Sequence, residues 1–183
     1  MQQSNCGNQS RNQSGNRTRT RNRILVSYSD GFIQGNGKNF QTGGGTFAIF
    51  DITDVSPFPG DDHLLINQQG ELLERTSNTY HGFLTNNICE AKAFFELVAT
   101  LHYRKLINKS NTIFTYLDSE LILYQVLGIY KINSINLKET YKNLNILLTK
   151  IEKEEGLTRQ EIFNIVNLQH IPGVEMKKTI IGH

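Results

Sequence analysis

Two short runs rich in β-branched and aromatic residues, 24–29 and 112–117, each stop at an aspartate, Asp30 and Asp118, and a helical stripe lies between them. Runs of this length and composition read as strands. The stripe, Ala93, Phe94, Leu97, Val98 and Leu101, follows helical spacing. Two strands separated by a helix are expected to lie parallel and side by side. Their C-terminal ends then open on one side of the sheet, where open sheets bind ligands.

The rest of the chain fills in around that unit. Residues 43–51 read as a glycine turn feeding a second strand, with Gly31, Gly35, Asn36 and Gly37 as a tight connection before it. Residues 53–62, with two prolines, form a loop. Residues 64–67 and 71–76 flank a polar Gln68-Gln69-Gly70 turn and read as a strand or hairpin. A short helix spans 119–127 and ends at Gly128, and Leu137, Tyr141, Leu144, Leu148 and Ile151 mark a third helix, followed by Gly156. Residues 162–171 read as the last strand. The order β-β-β-α-β-α-α-β predicts an α/β (α+β) fold, a five-stranded mixed sheet with helices on its faces.

Charge is distributed unevenly. Residues 1–23 hold five arginines (Arg11, Arg17, Arg19, Arg21 and Arg23) and no acid, which leaves 14 Lys+Arg against 17 Asp+Glu in the remainder. Residues 1–22 are expected to be a disordered, Asn/Gln/Ser/Arg-rich tail that contacts a phosphate backbone, and 23–183 to be one folded domain. With two cysteines, Cys6 and Cys89, in 183 residues, no disulfide framework is expected and a reducing, cytoplasmic setting is the default. No apolar run approaches the roughly 20 residues of a membrane span. His63, His81 and His102 show no ligand spacing and read as surface or loop residues, and the Tyr80/Phe83 and Phe94/Phe95 aromatics read as core.

The acids carry the chemistry. Glu90 lies on the core-facing stripe with Phe94, Leu97 and Leu101, where a carboxylate is costly to bury without a compensating partner. With Asp30 and Asp118 it makes a cage for hard divalent cations. Taken singly, each acid has a plainer explanation, as a turn residue or as a charge favoured at a helix N-terminus.

Several boxes, in collinear order over residues 24 to about 175, resemble the type 1 ribonucleases H. Asp30-Gly31-Phe32 with Gly35-Asn36 and Gly43-Gly44-Gly45-Thr46-Phe47-Ala48 is similar to that family's opening. Thr85-Asn86-Asn87-Ile88-Cys89-Glu90 resembles its Thr-Asn-Asn-x-x-Glu box, Leu117-Asp118-Ser119 its Thr-Asp-Ser box, and His170-Ile171-Pro172 its last-strand His-Val-Pro. The linker around Gly128 to Lys138 looks like that of short members without a basic protrusion. The resemblance implies an endoribonuclease cutting the RNA strand of RNA–DNA hybrids with two Mg2+ or Mn2+ ions roughly 3.5–4 Å apart. Asp30 would bridge both ions, and Glu90 and Asp118 would each help to hold one. Gly31, Asn36, Asn87 and Ser119 match positions near the RNA strand and its 2′-hydroxyls, and Thr85 and Asn86 match positions on the DNA strand.

Three departures stand against a full match. The family's fourth acid aligns with Ile180, with Glu175 and His183 as the nearby candidates to replace it. Phe32 takes the place of a small residue, and Glu120 that of a neutral amide. The second reading is therefore a weakly active or inactive nucleic-acid-binding or assembly subunit; membership of a reverse-transcriptase or mobile-element system is compatible with either. Ile180→Asp is expected to raise activity if the C-terminal segment folds as a helix.

Overall fold

A computed structural model describes residues 21–34 and 41–182. Their order is β1 (Ile24–Gln34), β2 (Gln41–Asp51), α1 (His63–Gln69), β3 (Glu71–Gly82), α2 (Asn86–Tyr103), β4 (Thr112–Leu117), α3 (Glu120–Val126), α4 (Ile135–Glu155), α5 (Arg159–Ile165), β5 (Val166–His170) and α6 (Gly173–Met176). The strands form one five-stranded sheet in the order β3-β2-β1-β4-β5. β3, β2 and β1 form an antiparallel meander, while β4 pairs parallel to both β1 and β5. This is the mixed sheet expected, with β1 and β4 as parallel neighbours at its centre.

Alternation along the strands divides the core in two. Leu25, Phe47, Ile49 and Ile113 face α2 and α4 and join Leu97, Leu101, Leu144 and Leu148 in one cluster. Val26, Tyr28, Ala48, Phe50 and Tyr116 face the other way, against Ile66 of α1, Met176 of α6 and Ile181. Each fully buried Leu or Ile contributes about 1.5–3 kcal/mol, so the apolar stripe of α4 is what holds that helix down. Ser27 and Thr115 join hydroxyls at 2.8 Å inside the central pair.

Several local expectations need correction. β1 does not stop at Asp30: its parallel pairing with β4 ends at Ser29–Leu117, but it continues against β2 through Gln34. The glycines 43–45 lie inside β2 and not in a turn. They are bare because neighbours press on them. A Cβ on Gly45 would stand 2.7 Å from the Ala93 side chain of α2, and one on Gly44 2.5 Å from the Phe32 ring. Residues 64–67 belong to α1, capped by the Asp62 carboxylate, which accepts from Leu64 N and Leu65 N. Residues 162–165 belong to α5, started by a reciprocal capping box between Thr158 and Glu161. At the N-terminal edge, Arg21 pairs with Asp54, and Arg23 with Asp51 at 2.8 Å, so ion pairs to the body begin before the expected domain start.

Two histidines are buried, contrary to expectation. His63 sits edge-on against the stacked rings of Tyr28 and Tyr116 and meets the Tyr28 hydroxyl at 3.0 Å through Nδ1. His102 is buried in the last turn of α2. Phe83 is exposed, whereas Tyr80 and Phe94 are in the core. No helix among the described residues is long and apolar enough to cross a membrane.

Candidate active site

Three elements bring the predicted acids to one place. Asp30 lies on β1 just beyond the last β1–β4 pair, and Asp118 directly follows β4, so both stand at the C-terminal end of the parallel ladder. Glu90 comes from the second turn of α2, whose first turn is capped by the Thr85 hydroxyl accepting from Ile88 N. The approach of α2 depends on Gly31, where an added Cβ would lie 2.2 Å from Glu90 N and 2.5 Å from Cys89 C. The helix backbone therefore rests on β1 beside Asp30. The Asn86 side-chain amide donates to Glu90 Oε1, orienting that carboxylate from one turn earlier.

The site is electrostatically unfavourable without a cation. Burial, with added repulsion from Asp118 and Glu90, pushes the Asp30 carboxyl up to about 7, although the Gly31 N–H donates to it and works the other way. Burial also raises Glu90, opposed by the nearby Ser119 hydroxyl and reinforced by Asp118. Asp118 is raised by burial too, with His170 pulling it back. Glu90 Oε2 and Asp118 Oδ1 are buried with no hydrogen-bond partner. Buried acceptors left without donors are unusual and suit a bound cation. Oxygen-only donors of this kind fit Mg2+ or Mn2+. One ligand atom from each acid does not fall within 4.8 Å of the others; among the described residues the group that does is His102, Glu154 and Glu155.

The remaining predicted residues are placed unevenly. Ser119 caps α3 through its hydroxyl, accepting from Ile122 N, and Asn87 is half-buried in the first turn of α2. Asn36 and His183 lie outside the described residues. Glu175 is on α6, but its carboxylate is tied to Lys178 Nζ at 2.8 Å, and it is not among the charges that shift Asp30 or Asp118. α6 ends at Met176, before Ile180, which packs against the apolar cluster of Val26, Tyr28 and Ile181. The condition for a gain from Ile180→Asp is therefore not met. That substitution is expected to lower stability by about 1–3 kcal/mol, read as a fall in Tm, without raising cleavage. Phe32 packs over Gly44, and Glu120 is exposed and comes within 3.9 Å of His170 Nδ1.

One site residue carried no assigned role in the sequence reading. His170, the last residue of β5, places Nε2 3.2 Å from the Asp118 carbonyl oxygen and ties the end of β5 to the Asp118 turn. Its signal was the His170-Ile171-Pro172 box at the end of the last strand.

The same fold recurs in solved structures. LC11-RNase H1, a compost ribonuclease H1 found by a metagenomic approach and crystallised with an RNA/DNA hybrid, aligns over 81% of this chain and 85% of its own at 25% identity, with a TM-score of 0.54. The fold is that of the type 1 ribonucleases H. The ribonuclease H1 of Halobacterium salinarum matches over 85% of this chain and 91% of its own at 18% identity, TM-score 0.54. The N-terminal ribonuclease H domain of a Mycobacterium tuberculosis protein matches over 82% and 83% at 19% identity, TM-score 0.54. No protein-family model and no curated protein matches the chain.

Proposed function

We propose that this chain is an endoribonuclease that cuts the RNA strand of RNA–DNA hybrids with two bound divalent ions, Mg2+ or Mn2+. The observation that supports this best is the buried acid trio of Asp30, Glu90 and Asp118, with Glu90 Oε2 and Asp118 Oδ1 left without donors. Asp30 would serve both ions, with Glu90 and Asp118 each serving one. When bound, the ions would neutralise the scissile phosphate and furnish an activated water. The chain's own part is positioning. The Gly31 N–H steadies Asp30, the Asn86 amide turns Glu90, and His170 fixes the Asp118 turn. Gly31, Asn36, Asn87 and Ser119 would face the RNA strand and Thr85 and Asn86 the DNA strand, with residues 23–183 acting as the catalytic domain.

The basic tail, residues 1–22, would add salt-dependent grip on phosphates. Because Arg21 already serves Asp54, deleting residues 1–20 removes three arginines. The deletion is expected to flatten the slope of log affinity against log salt by up to about 3 units while leaving the cleavage pattern unchanged. An unchanged slope would remove the tail from the binding surface.

Ile180 favours the second reading, a weakly active or inactive hybrid-binding subunit, because it puts an apolar side chain where a fourth acid aligns. With fewer carboxylate oxygens, one of the two ions is held less tightly, and Mn2+ generally binds N/O sites more strongly than Mg2+. Cleavage of a labelled hybrid is expected to be at least tenfold faster in Mn2+ than in Mg2+, and absent in Asp30→Asn. Wild type that retains hybrid but cuts it with neither ion would establish the binding-subunit reading instead.

A further inference from the structure

The C-terminal turns of α2 and α4 meet at the end of α2 opposite the acid trio. We propose that His102, Glu154 and Glu155 form a separate site there for a single transition-metal dication, with Zn2+ the best fit. One ligand atom from each residue lies within 4.8 Å of the others. The His102 imidazole is 8% exposed, with Nε2 3.1 Å from Glu154 Oε2 and Nδ1 3.9 Å from Glu155 Oε1. Nδ1 is buried and has no hydrogen-bond partner. A buried imidazole with a carboxylate beside each ring nitrogen has a nitrogen to offer a metal.

The surrounding electrostatics favour a cation. Glu154 and Glu155 occupy the last two positions of α4, and His102 the last turn of α2, so two helix C-termini add their negative ends to two carboxylates. Acids at that end of a helix are unfavourable unless positive charge answers them. Lys105 and Lys150 do so in part: Lys105 Nζ is 2.9 Å from Glu155 and 3.6 Å from Glu154, and Lys150 Nζ is 3.7 Å from Glu154. Lys105 holds a left-handed φ of 57°, and its side chain is 64% exposed, so the ammonium can swing into water when a dication arrives. One imidazole and two carboxylates suit Zn2+, with water completing a tetrahedron, whereas Mg2+ prefers oxygen ligands alone. The site would clasp α2 to α4 and is independent of whether the acid trio cuts RNA.

Calorimetric titration of Zn2+ into the full chain, with Mg2+ in large excess to occupy the acid trio, tests the assignment. One equivalent of Zn2+ is expected to bind. Glu154→Gln, on a half-exposed residue that should leave folding intact, is expected to weaken binding at least tenfold, and His102→Gln to abolish it. Lys105→Met, which removes the competing ammonium, is expected to tighten it at least threefold. Absence of Zn2+ binding in wild type, or binding of the same strength in Glu154→Gln and Lys105→Met, would overturn the proposal.

Discussion

Asp30→Asn is expected to abolish hybrid cleavage and, in the same molecule, to stabilise the metal-free protein at pH 8. Both effects follow from one carboxylate that is buried and held against two others. Its folded-state pKa is pushed up to about 7, whereas an exposed aspartate titrates near 4. The folded state therefore binds a proton more tightly than the unfolded chain. The stability this gives is complete below about pH 4 and is lost as pH rises through 7. At pH 8, in chelator, wild type carries the full penalty of the ionised group, of the order of 2–4 kcal/mol after allowance for partial solvent access. The asparagine is neutral at every pH and avoids it. The Tm of the variant should exceed that of wild type by several degrees at pH 8 and match it near pH 4.5, while cleavage falls at least a thousandfold. Mg2+ or Mn2+ should raise the wild-type Tm at pH 8 and have little effect on the variant. Equal melting of the two proteins at pH 8 in chelator would mean that Asp30 is not under this strain.

Gly31→Ala should be among the most damaging single methyl additions in the domain. The new carbon would lie 2.2 Å from Glu90 N, 2.5 Å from Cys89 C and 2.6 Å from Glu90 Cα, and all three are helix backbone atoms. No rotamer change can relieve such a contact; α2 has to lift off β1. Overpacking of this kind costs roughly 3 kcal/mol, equivalent to about 6–12 °C in Tm for a domain of this size. Because Glu90 rides on the displaced turn, cleavage should fall even at temperatures where the variant remains folded. A variant that melts within 2 °C of wild type and cuts at the same rate would show that α2 does not seat on this glycine.

What was legible in the sequence follows from the strength of the local pattern. β4 has the expected bounds, and all five apolar positions predicted for α4 are buried, because β-branched runs and a four-turn stripe leave little choice of period. The acids were placed by topology: two strands around a helix had to lie parallel, and they do. The failures lie where short apolar runs fit either period. Residues 64–67 and 162–165 are helical, and in each case the deciding signal was polar and upstream, Asp62 for α1 and the Thr158–Glu161 box for α5. Gly43 to Gly45 looked like a turn because glycine usually serves one; here the missing side chains make room for α2 and the Phe32 ring, contacts invisible before the fold is known. Burial of His63 and His102 was equally hidden, since their partners are 35 and about 50 residues away in sequence.

The hydroxyl pair of Ser27 and Thr115 joins strands whose residues are 88 positions apart. Parallel pairing across so long a loop is slow to form and gains nothing until both strands are present. Asp30 and Asp118 stand at the end of that ladder, so a growing chain carries Asp30 for a long interval with neither Asp118 nor a docked Glu90 beside it. The crowding of negative charge is thus deferred until β4 has been made and paired with β1. If the acid trio acts as proposed, a partly made chain lacking that closure would hold no divalent ions there and would not cut nucleic acid before it is whole.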